Sequence, residues 1–224
     1  MLINRANSFL IWVITALILY VIFKYTSIDL VIQKLFFDQT LNSFTLRNNF
    51  FIEKYLYHGS KVVAYIFGLA SVIWLLHKIK INVDIQSKNI YVAALIATIS
   101  IPLVITSLKH LTNIDCPWSF KEFGGALTYI NPMNFFTDKL SRGQCFPAGH
   151  ATGGFMWLSW SIIFWKHSPP LAKAMLLSGI TMGLLMGVSR MAQGAHFLSH
   201  TLATVMIIWL ISLISLSIAH RITK

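Results

Sequence analysis

Residues 90–108 read IYVAALIATISIPLVITSL, and the polar segment KHLTNIDCP follows directly at residues 109–117. The first segment has 19 residues and no charged side chain, and a helix needs about 20 residues to cross the hydrocarbon core of a bilayer. The second segment brings Lys109, His110 and Asp115 into a short space. Together they predict a transmembrane helix that ends in a polar cluster at one membrane face.

Five further apolar runs repeat this pattern, and the composition of the whole chain agrees with it. Of the 224 residues, 56% are hydrophobic and 11% are charged, whereas soluble domains carry roughly 25% charged residues. So few charges cannot cover a surface that faces water. We therefore predict an all-α integral membrane bundle of about six transmembrane helices, embedded in a lipid bilayer as one domain over residues 1–224. The six runs are 9–23, 62–76, 90–108, 151–165, 171–188 and 202–219.

Two stretches outside this pattern need an interpretation. The run 9–23 is not followed by a small-residue cleavage site, so we expect a permanent helix and no removable signal peptide. Segment 27–57 mixes charged residues with Leu, Ile and Phe. This mixture favours an outer loop with short amphipathic helices that lie on the membrane surface.

The net charge of +11 is distributed along the chain in a way that predicts orientation. The basic residues lie mostly at the ends of the apolar runs, as membrane topology requires, so we exclude nucleic acid as a partner. An even number of spans puts both termini on one side, where Asp84 is the lone acidic residue. The positive-inside rule then places both termini in the cytoplasm and the loops 109–149 and 190–200 outside.

Three polar clusters share this outer face: KHLTNIDCP at 109–117, CFPAGH at 145–150 and SRMAQGAHFLSH at 189–200. Lys109 and Arg190 offer cationic donors for phosphate. His150 and His196 suit proton transfer or nucleophilic attack at neutral pH. No Asp or Glu lies within a few residues of these histidines, which favours chemistry without a metal. Taken singly, Lys109 also fits a cation at a helix end, and Arg190 and His196 fit polar groups bonded between helices.

The three clusters together resemble the signature of the type-2 phosphatidic acid phosphatase superfamily, the membrane relatives of vanadium haloperoxidases. That signature reads Lys-x6-Arg-Pro, then Pro-Ser-Gly-His, then Ser-Arg-x5-His-x3-Asp. The order and spacing in this chain match it within the second half of the sequence. The corresponding residues are Lys109-x6-Cys116-Pro117, Pro147-Ala148-Gly149-His150 and Ser189-Arg190-x5-His196-x3-His200.

The resemblance implies a mechanism and a role for each residue. His196 is expected to be the nucleophile that takes the phosphoryl group, and His150 the general acid. Lys109 and Arg190 are expected to hold the phosphate oxygens. No cofactor is implied. The set of substrate-binding residues expected on the same basis is Ala148, Gly149 and Ser189.

This chain departs from the signature at three positions. Ala148 replaces Ser but keeps its backbone amide. Cys116 replaces a phosphate-binding Arg, whose charge we expect from Arg142 or Lys139. His200 replaces the Asp that orients the nucleophile; a neutral His can accept a hydrogen bond from His196, and two residues four apart share one face of a helix.

The two cysteines of the chain are Cys116 and Cys145, and both belong to the predicted outer side, where disulfides persist. They either remain free or form a disulfide. Because the first and second motifs must approach each other to enclose one phosphate, we hypothesise a Cys116–Cys145 bridge that pins the outer loop over the site.

The implied activity is that of a lipid phosphatase of a bacterial inner membrane, with its site facing the periplasm. The candidate substrates are polyprenyl diphosphate, phosphatidylglycerol phosphate, phosphatidic acid and lipid A. Two alternatives stay open: a phosphotransferase that passes the phosphate to another lipid, and a non-catalytic lipid-binding or transport protein. The sequence leaves the particular lipid and the oligomeric state undecided.

Overall fold

The computed structural model describes residues 5–81, 84–134 and 143–222, and within these ranges the chain is helical, with two isolated β-bridges and no strand. Short helical turns connect the longer helices at Ile52–Gly59 (a π-helix), Pro117–Ser119 and Lys121–Phe123. The α-helices are α1 (Arg5–Tyr25), α2 (Ile28–Lys34), α3 (Ser60–Lys80), α4 (Ile85–Thr112), α5 (Gly149–Phe155), α6 (Trp157–Phe164), α7 (Pro169–Ala192) and α8 (Leu198–Ile222).

Five of the helical segments are long and apolar enough to cross a membrane: Asn7–Tyr25, Ile52–Lys80, Ile85–Ser119, Pro169–Ala192 and Leu198–Ile222. The prediction of an all-α membrane protein is therefore confirmed. Five of the six predicted runs correspond to these segments. The sixth, 151–165, forms α5 and α6, which meet at Met156 and are each too short to span a bilayer alone.

The segment α5–α6 is the centre of the bundle. Trp160 and Phe164 of α6 are buried, and so are the polar side chains of Ser159 and Ser161. By contrast, α1 and α3 expose large apolar side chains such as Leu17 and Ile66. The segment α5–α6 is enclosed by α4, α7 and α8. Its side chains therefore contact protein, whereas the exposed apolar side chains of α1 and α3 face the lipid.

The ends of these helices bring the polar clusters together. Trp12 of α1 donates a hydrogen bond to the carbonyl of Met206 at the middle of α8 (2.8 Å), and Phe23 packs against Leu198 and Leu202. The helices α1 and α8 therefore run antiparallel. Because successive spans alternate in direction, the ends of α4 and α7 and the starts of α3, α5 and α8 meet at one end of the bundle.

The prediction of short amphipathic helices in segment 27–57 holds for α2, but the end of the segment differs from it. The π-helical turn is continuous with α3, so this span begins at Ile52 and not near residue 62. In addition, α2 turns its polar residues into the protein and exposes Val31 and Leu35. Gln33 donates to the carbonyl of Met191 (2.8 Å), and Asp29 accepts from the backbone N–H of Ser199 (2.9 Å). These polar groups are buried because they satisfy the ends of α7 and α8.

Asp29 makes the stability of this contact depend on pH. Burial is the main cause that raises the pKa of Asp29 from 3.8 to about 6, against the opposing hydrogen bonds from Ser199 and Leu198. Because the folded protein favours the protonated form, stability is greatest below pH 3.8 with respect to this group, and it falls as pH rises through about 6.

We expect Asp29→Asn to remove this dependence. The wild-type free energy of unfolding in detergent should decrease by roughly 2–4 kcal/mol from this group between pH 4 and pH 7, whereas the Asn variant should show a flatter profile. Chemical unfolding followed by tryptophan fluorescence at several pH values measures the difference. Equal slopes for both proteins would contradict the assignment.

Candidate active site

A cavity of about 580 Å³ opens at the end of the bundle where the polar clusters meet. Its polar end is lined by Lys109 from α4, His150 from α5, Arg190 from α7 and His196 from the turn between α7 and α8. No Asp or Glu is among the described residues that line it. Gly149 of α5 lines the same cavity, so the structure brings five of the predicted site residues from four elements to one cavity with a positive lining and no carboxylate among its described residues.

Lys109 extends across the start of α5. A Cβ atom placed on Gly149 would lie 3.0 Å from Cδ and 3.4 Å from Nζ of Lys109. Glycine therefore leaves room for the lysine side chain beside the first turn of α5, where backbone N–H groups have no intrahelical partner. The preceding amide differs from those of the first turn. The N–H of Ala148 donates to the carbonyl of His200 (3.1 Å) and is not free for a ligand.

Arg190 is held by hydrogen bonds and by aromatic rings. Its Nη1 donates to Oε1 of Gln193 (2.6 Å), and Gln193 in turn donates to Oε2 of Glu53 (3.3 Å). The guanidinium carbon lies 4.5 Å from the ring centroid of Tyr57 and 5.8 Å from that of Trp118. Its Nε is buried without a partner among the described residues. The planar guanidinium is thereby oriented while donor capacity is left for an anion.

His196 lies in the tight turn that joins α7 to α8. Gly194 adopts φ +75° and packs closely on the ring of Phe44, which a side chain at this position would disturb. His196 itself is buried, and its Nδ1 has no hydrogen-bond partner in the described part of the chain. Burial first, and then the charges of His200, Lys109 and Arg190, lower the pKa of His196 well below 6.5, with the Cys145 carbonyl acting least and in the opposite direction. The imidazole is neutral at pH 7, as a nucleophile must be.

His150 is anchored to the π-helical turn. Its Nε2 lies 3.0 Å from the carbonyl oxygen of Leu56 and 3.3 Å from Oγ of Ser60, and its ring lies 4.9 Å from the ring of Tyr57. A carbonyl only accepts hydrogen bonds, so Nε2 carries the hydrogen. π-Helical turns are often found at functional sites. Here the turn supplies two of the three contacts to His150, and Ser60 at the start of α3 supplies the third.

Three of the predicted site residues do not reach the cavity. Ser189 is buried and donates to the carbonyl of Met186 within α7 (3.0 Å). His200 is fully buried against the rings of Phe146 and Phe197, and neither of its ring nitrogens has a partner among the described residues. The expected hydrogen bond from His196 to His200 is absent; their ring centroids are 5.8 Å apart.

The helix geometry explains this result for His200. The expectation that both histidines share one helical face required a continuous helix, but His196 precedes α8, which begins at Leu198. The third expected residue outside the cavity is Ala148, whose side chain is fully buried. The proposed substitutes for the missing Arg charge, Arg142 and Lys139, lie outside the described residues.

The segment 145–148 is held from both sides of the site. Cys145 forms a disulfide with Cys116, with a Cα–Cα distance of 5.2 Å, and its N–H donates to the carbonyl of Ile114 (2.9 Å). The hydroxyl of Thr112 donates to the carbonyl of Phe146 (2.6 Å). The first and second motifs are therefore adjacent, as the disulfide hypothesis required.

Loss of the disulfide should destabilise the protein without removing a ligand contact. The bridge joins residues 29 positions apart, and a loop of this size is worth about 3.6 kcal/mol in the chain-entropy model. We expect Cys116→Ser and Cys145→Ser to unfold at lower temperature by similar amounts, and the double variant to add little. Mass spectrometry of unreduced protein should show the linked peptides; complete alkylation of both thiols without reductant would contradict the pairing.

Sequence reasoning missed the residues that surround the motif side chains. Tyr57 contacts His150 and Arg190, and Lys61 lies on the same ring, 3.8 Å from its centroid. Trp118 contacts Arg190 and Arg47. Trp118 could have been predicted as a site residue, because it directly follows Pro117 of the first motif. Nothing in the local pattern around Tyr57 and Lys61 distinguishes them from the residues of an ordinary helix end.

Comparison with known proteins agrees with this arrangement. The PAP2 superfamily matches residues 90–224, which contain all three motifs, most of α4 and helices α5 to α8. The chain belongs to the PAP2 superfamily, a group of phosphatases that act on phosphate esters, often those of lipids. No curated protein and no solved structure matches the chain. The fold and the family together define an integral membrane phosphatase-type protein.

Proposed function

We propose that the protein removes a phosphate group from a membrane lipid through a phosphohistidine intermediate, without a metal. One observation carries this proposal: a single cavity holds Lys109, Arg190 and His196 at one end and apolar side chains at the other. The apolar part lies between α3 and α4 and is lined by Leu69, Val72, Pro102 and Ile105. A lipid phosphate has the same division, because its phosphate is anionic and its chain is apolar.

In the first step, a ring nitrogen of His196 attacks phosphorus, and the bond between phosphorus and the lipid oxygen breaks. Lys109 and Arg190 stabilise the charge on the phosphate oxygens. His150 acts as the general acid in its doubly protonated form, which the bound phosphate anion favours. Its Nε2 exchanges the Leu56 carbonyl for the substrate and gives its proton to the leaving oxygen. In the second step, His150 takes a proton from water, the water oxygen bonds to phosphorus, and the nitrogen–phosphorus bond breaks to release inorganic phosphate.

The test is phosphate release by the purified protein in detergent. The substrates are phosphatidic acid, phosphatidylglycerol phosphate, polyprenyl diphosphate and lipid A. The rate for each lipid is compared with the rate for a water-soluble phosphate ester that has a similar leaving group. We expect turnover of at least one lipid, preference over the soluble ester, retention of activity in EDTA and inhibition by vanadate. Lipid binding without any turnover would favour the non-catalytic alternative, and loss in EDTA with recovery on adding magnesium would contradict the mechanism.

A second candidate function, phosphate transfer to another lipid, is supported by a second basin. This basin, of about 460 Å³, is lined by Arg47, Asn48, Glu53 and Trp118, and it shares Tyr57 and Arg190 with the main cavity. It offers a polar approach to the phosphate that is separate from the apolar groove, and either water or an alcohol can use it. Product analysis with a labelled lipid diphosphate separates free phosphate from a phosphorylated acceptor lipid.

For localisation, we propose a bacterial inner membrane with the cavity facing the periplasm. The proposal is supported by charge: Lys78, Lys80, Lys166 and Lys173 lie at or beside the helix ends opposite the cavity, and such residues remain in the cytoplasm.

A cysteine-accessibility experiment tests this orientation on a background lacking Cys116 and Cys145. A cysteine at Gln144 should react with an impermeant reagent in intact cells, because Gln144 is exposed at the cavity end. A cysteine at Lys166 should react after permeabilisation alone. The reverse pattern would overturn both the orientation and an extracytoplasmic substrate.

A further inference from the structure

The main cavity contains a cation that belongs to none of the three motifs. Its described lining includes three residues with basic side chains, Lys61, Lys109 and Arg190, and no carboxylate. Lys61 lies in the first turn of α3, in the half of the chain that precedes the family match. Three such charges around one carboxylate-free cavity repel one another unless an anion lies between them.

The position equivalent to the signature arginine cannot supply this third charge. Cys116 carries no positive charge, and its sulfur is bonded to Cys145. Its neighbour Trp118 instead lies between two arginines: the guanidinium carbon of Arg47 is 4.7 Å and that of Arg190 is 5.8 Å from its ring centroid. Arg47 is exposed and lines the outer basin, not the main cavity.

Tyr57 sets the distance between Lys61 and Arg190. Nζ of Lys61 lies 3.8 Å from the ring centroid, and Cζ of Arg190 lies 4.5 Å from the same centroid. The two cationic groups are therefore at most 8.3 Å apart, the sum of these two distances. Charged N–H groups bind phosphate oxygens at about 2.8 Å, so two cations within this distance can bind different oxygens of one phosphate beside the ring.

No carboxylate in the described chain neutralises Lys61. Glu53, in the preceding π-helical turn, contacts His58 (3.3 Å) and the side-chain amide of Gln193 (3.3 Å). The His58–Glu53 pair is the one ion pair found within residues 5–81, 84–134 and 143–222. The charge of Lys61 is therefore available to a ligand in the cavity.

We propose that Lys61 is the third phosphate-binding cation of this site, in place of the arginine that Cys116 replaces, with Tyr57 holding it apart from Arg190. The proposal rests on the proposed function in that the bound group is a phosphate. It assigns the missing charge to α3, and not to Arg142 or Lys139. Lys61 and Tyr57 thereby join the start of α3 to the three motifs in one site.

The experiment compares Lys61→Gln with the matched control Lys54→Gln. Lys54 precedes Lys61 by two helical turns, is exposed, lies near the rings of Phe50 and Tyr55 and does not line the cavity. Binding of orthovanadate and of inorganic phosphate is measured by calorimetry in detergent, and lipid turnover is measured separately. Arg142→Gln and Lys139→Gln are tested in parallel.

We expect Lys61→Gln to weaken anion binding and to lower kcat/KM by about 10- to 100-fold, the loss of one hydrogen bond to a charged group. Lys61→Arg should recover most of this loss, Lys54→Gln should stay within about twofold of wild type, and Tyr57→Phe should bind anions better than Tyr57→Leu. Thermal unfolding confirms that each variant is folded; if the Gln variant is not, Lys61→Met replaces it.

Wild-type anion affinity in the folded Gln or Met variant would overturn the proposal, as would a loss confined to Arg142→Gln or Lys139→Gln. Anion binding that depends on Lys61 in a protein that turns over no lipid would support the site and contradict the phosphatase function. Absence of phosphate and vanadate binding in the wild-type protein would overturn both.

Discussion

His196→Ala is expected to remove phosphate release almost completely, with a loss of roughly 10³-fold or more in kcat, since removal of an enzymatic nucleophile costs this much or more. His196 is a buried imidazole of the cavity with no partner for its Nδ1 among the described residues, and its place in the third motif makes it the expected nucleophile. Its replacement leaves no atom to form the covalent bond to phosphorus. Initial rates of phosphate release with the preferred lipid measure the effect.

The control for this prediction is His110→Ala. His110 lines the same cavity but is exposed and belongs to no motif position, so its removal should change kcat by less than about tenfold, as for a group that takes no part in the chemistry. A second control is vanadate binding, which tests whether the rest of the site in the Ala variant is intact. Turnover near the wild-type value with His196→Ala would remove His196 from the mechanism.

Arg190→Lys should be almost as damaging as Arg190→Gln, with kcat/KM lowered by roughly 10²–10³-fold, the range found when one donor to a transition-state oxyanion is lost. Lysine keeps the charge but cannot reproduce the planar fork that contacts Gln193 and stacks near Tyr57 and Trp118. Steady-state kinetics with the preferred lipid separate the effect on kcat from that on KM.

Arg47→Lys is the matched control for Arg190→Lys. Arg47 stacks on the same Trp118 ring but lies exposed in the outer basin. Because an exposed contact of this kind contributes little, Arg47→Lys should lower kcat/KM by less than about fivefold. If Arg190→Lys retains full activity, a simple positive charge suffices at this position, and the argument from guanidinium geometry fails. If Arg47→Lys is the more damaging change, the phosphate lies in the outer basin.

Several features of this protein followed from the sequence because they depend on local composition. Long apolar runs such as 90–108 must be helical in a bilayer, since each backbone polar group has to be bonded within the segment. The three motifs identify the family because their residues stand at fixed spacing along the chain, at the ends of such runs. The family match over residues 90–224 confirms this membership. Four residues of these motifs, Lys109, His150, Arg190 and His196, line one cavity.

The tertiary structure alone decided the contacts made between distant segments. Tyr57 meets His150 and Arg190 across about 90 and 130 residues of chain, and Lys61 reaches the cavity from a helix without a motif. The inward polar face of α2 has the same origin, because Asp29 and Gln33 satisfy backbone groups of Ser199 and Met191. His200 shows what sequence spacing cannot predict. It follows His196 by the same number of residues as in the family signature, but His196 lies in the turn before α8 and His200 lies within α8, so they do not share a helical face. Spacing along one helix follows from backbone geometry, whereas the partner of a helix face depends on how all the helices pack at once.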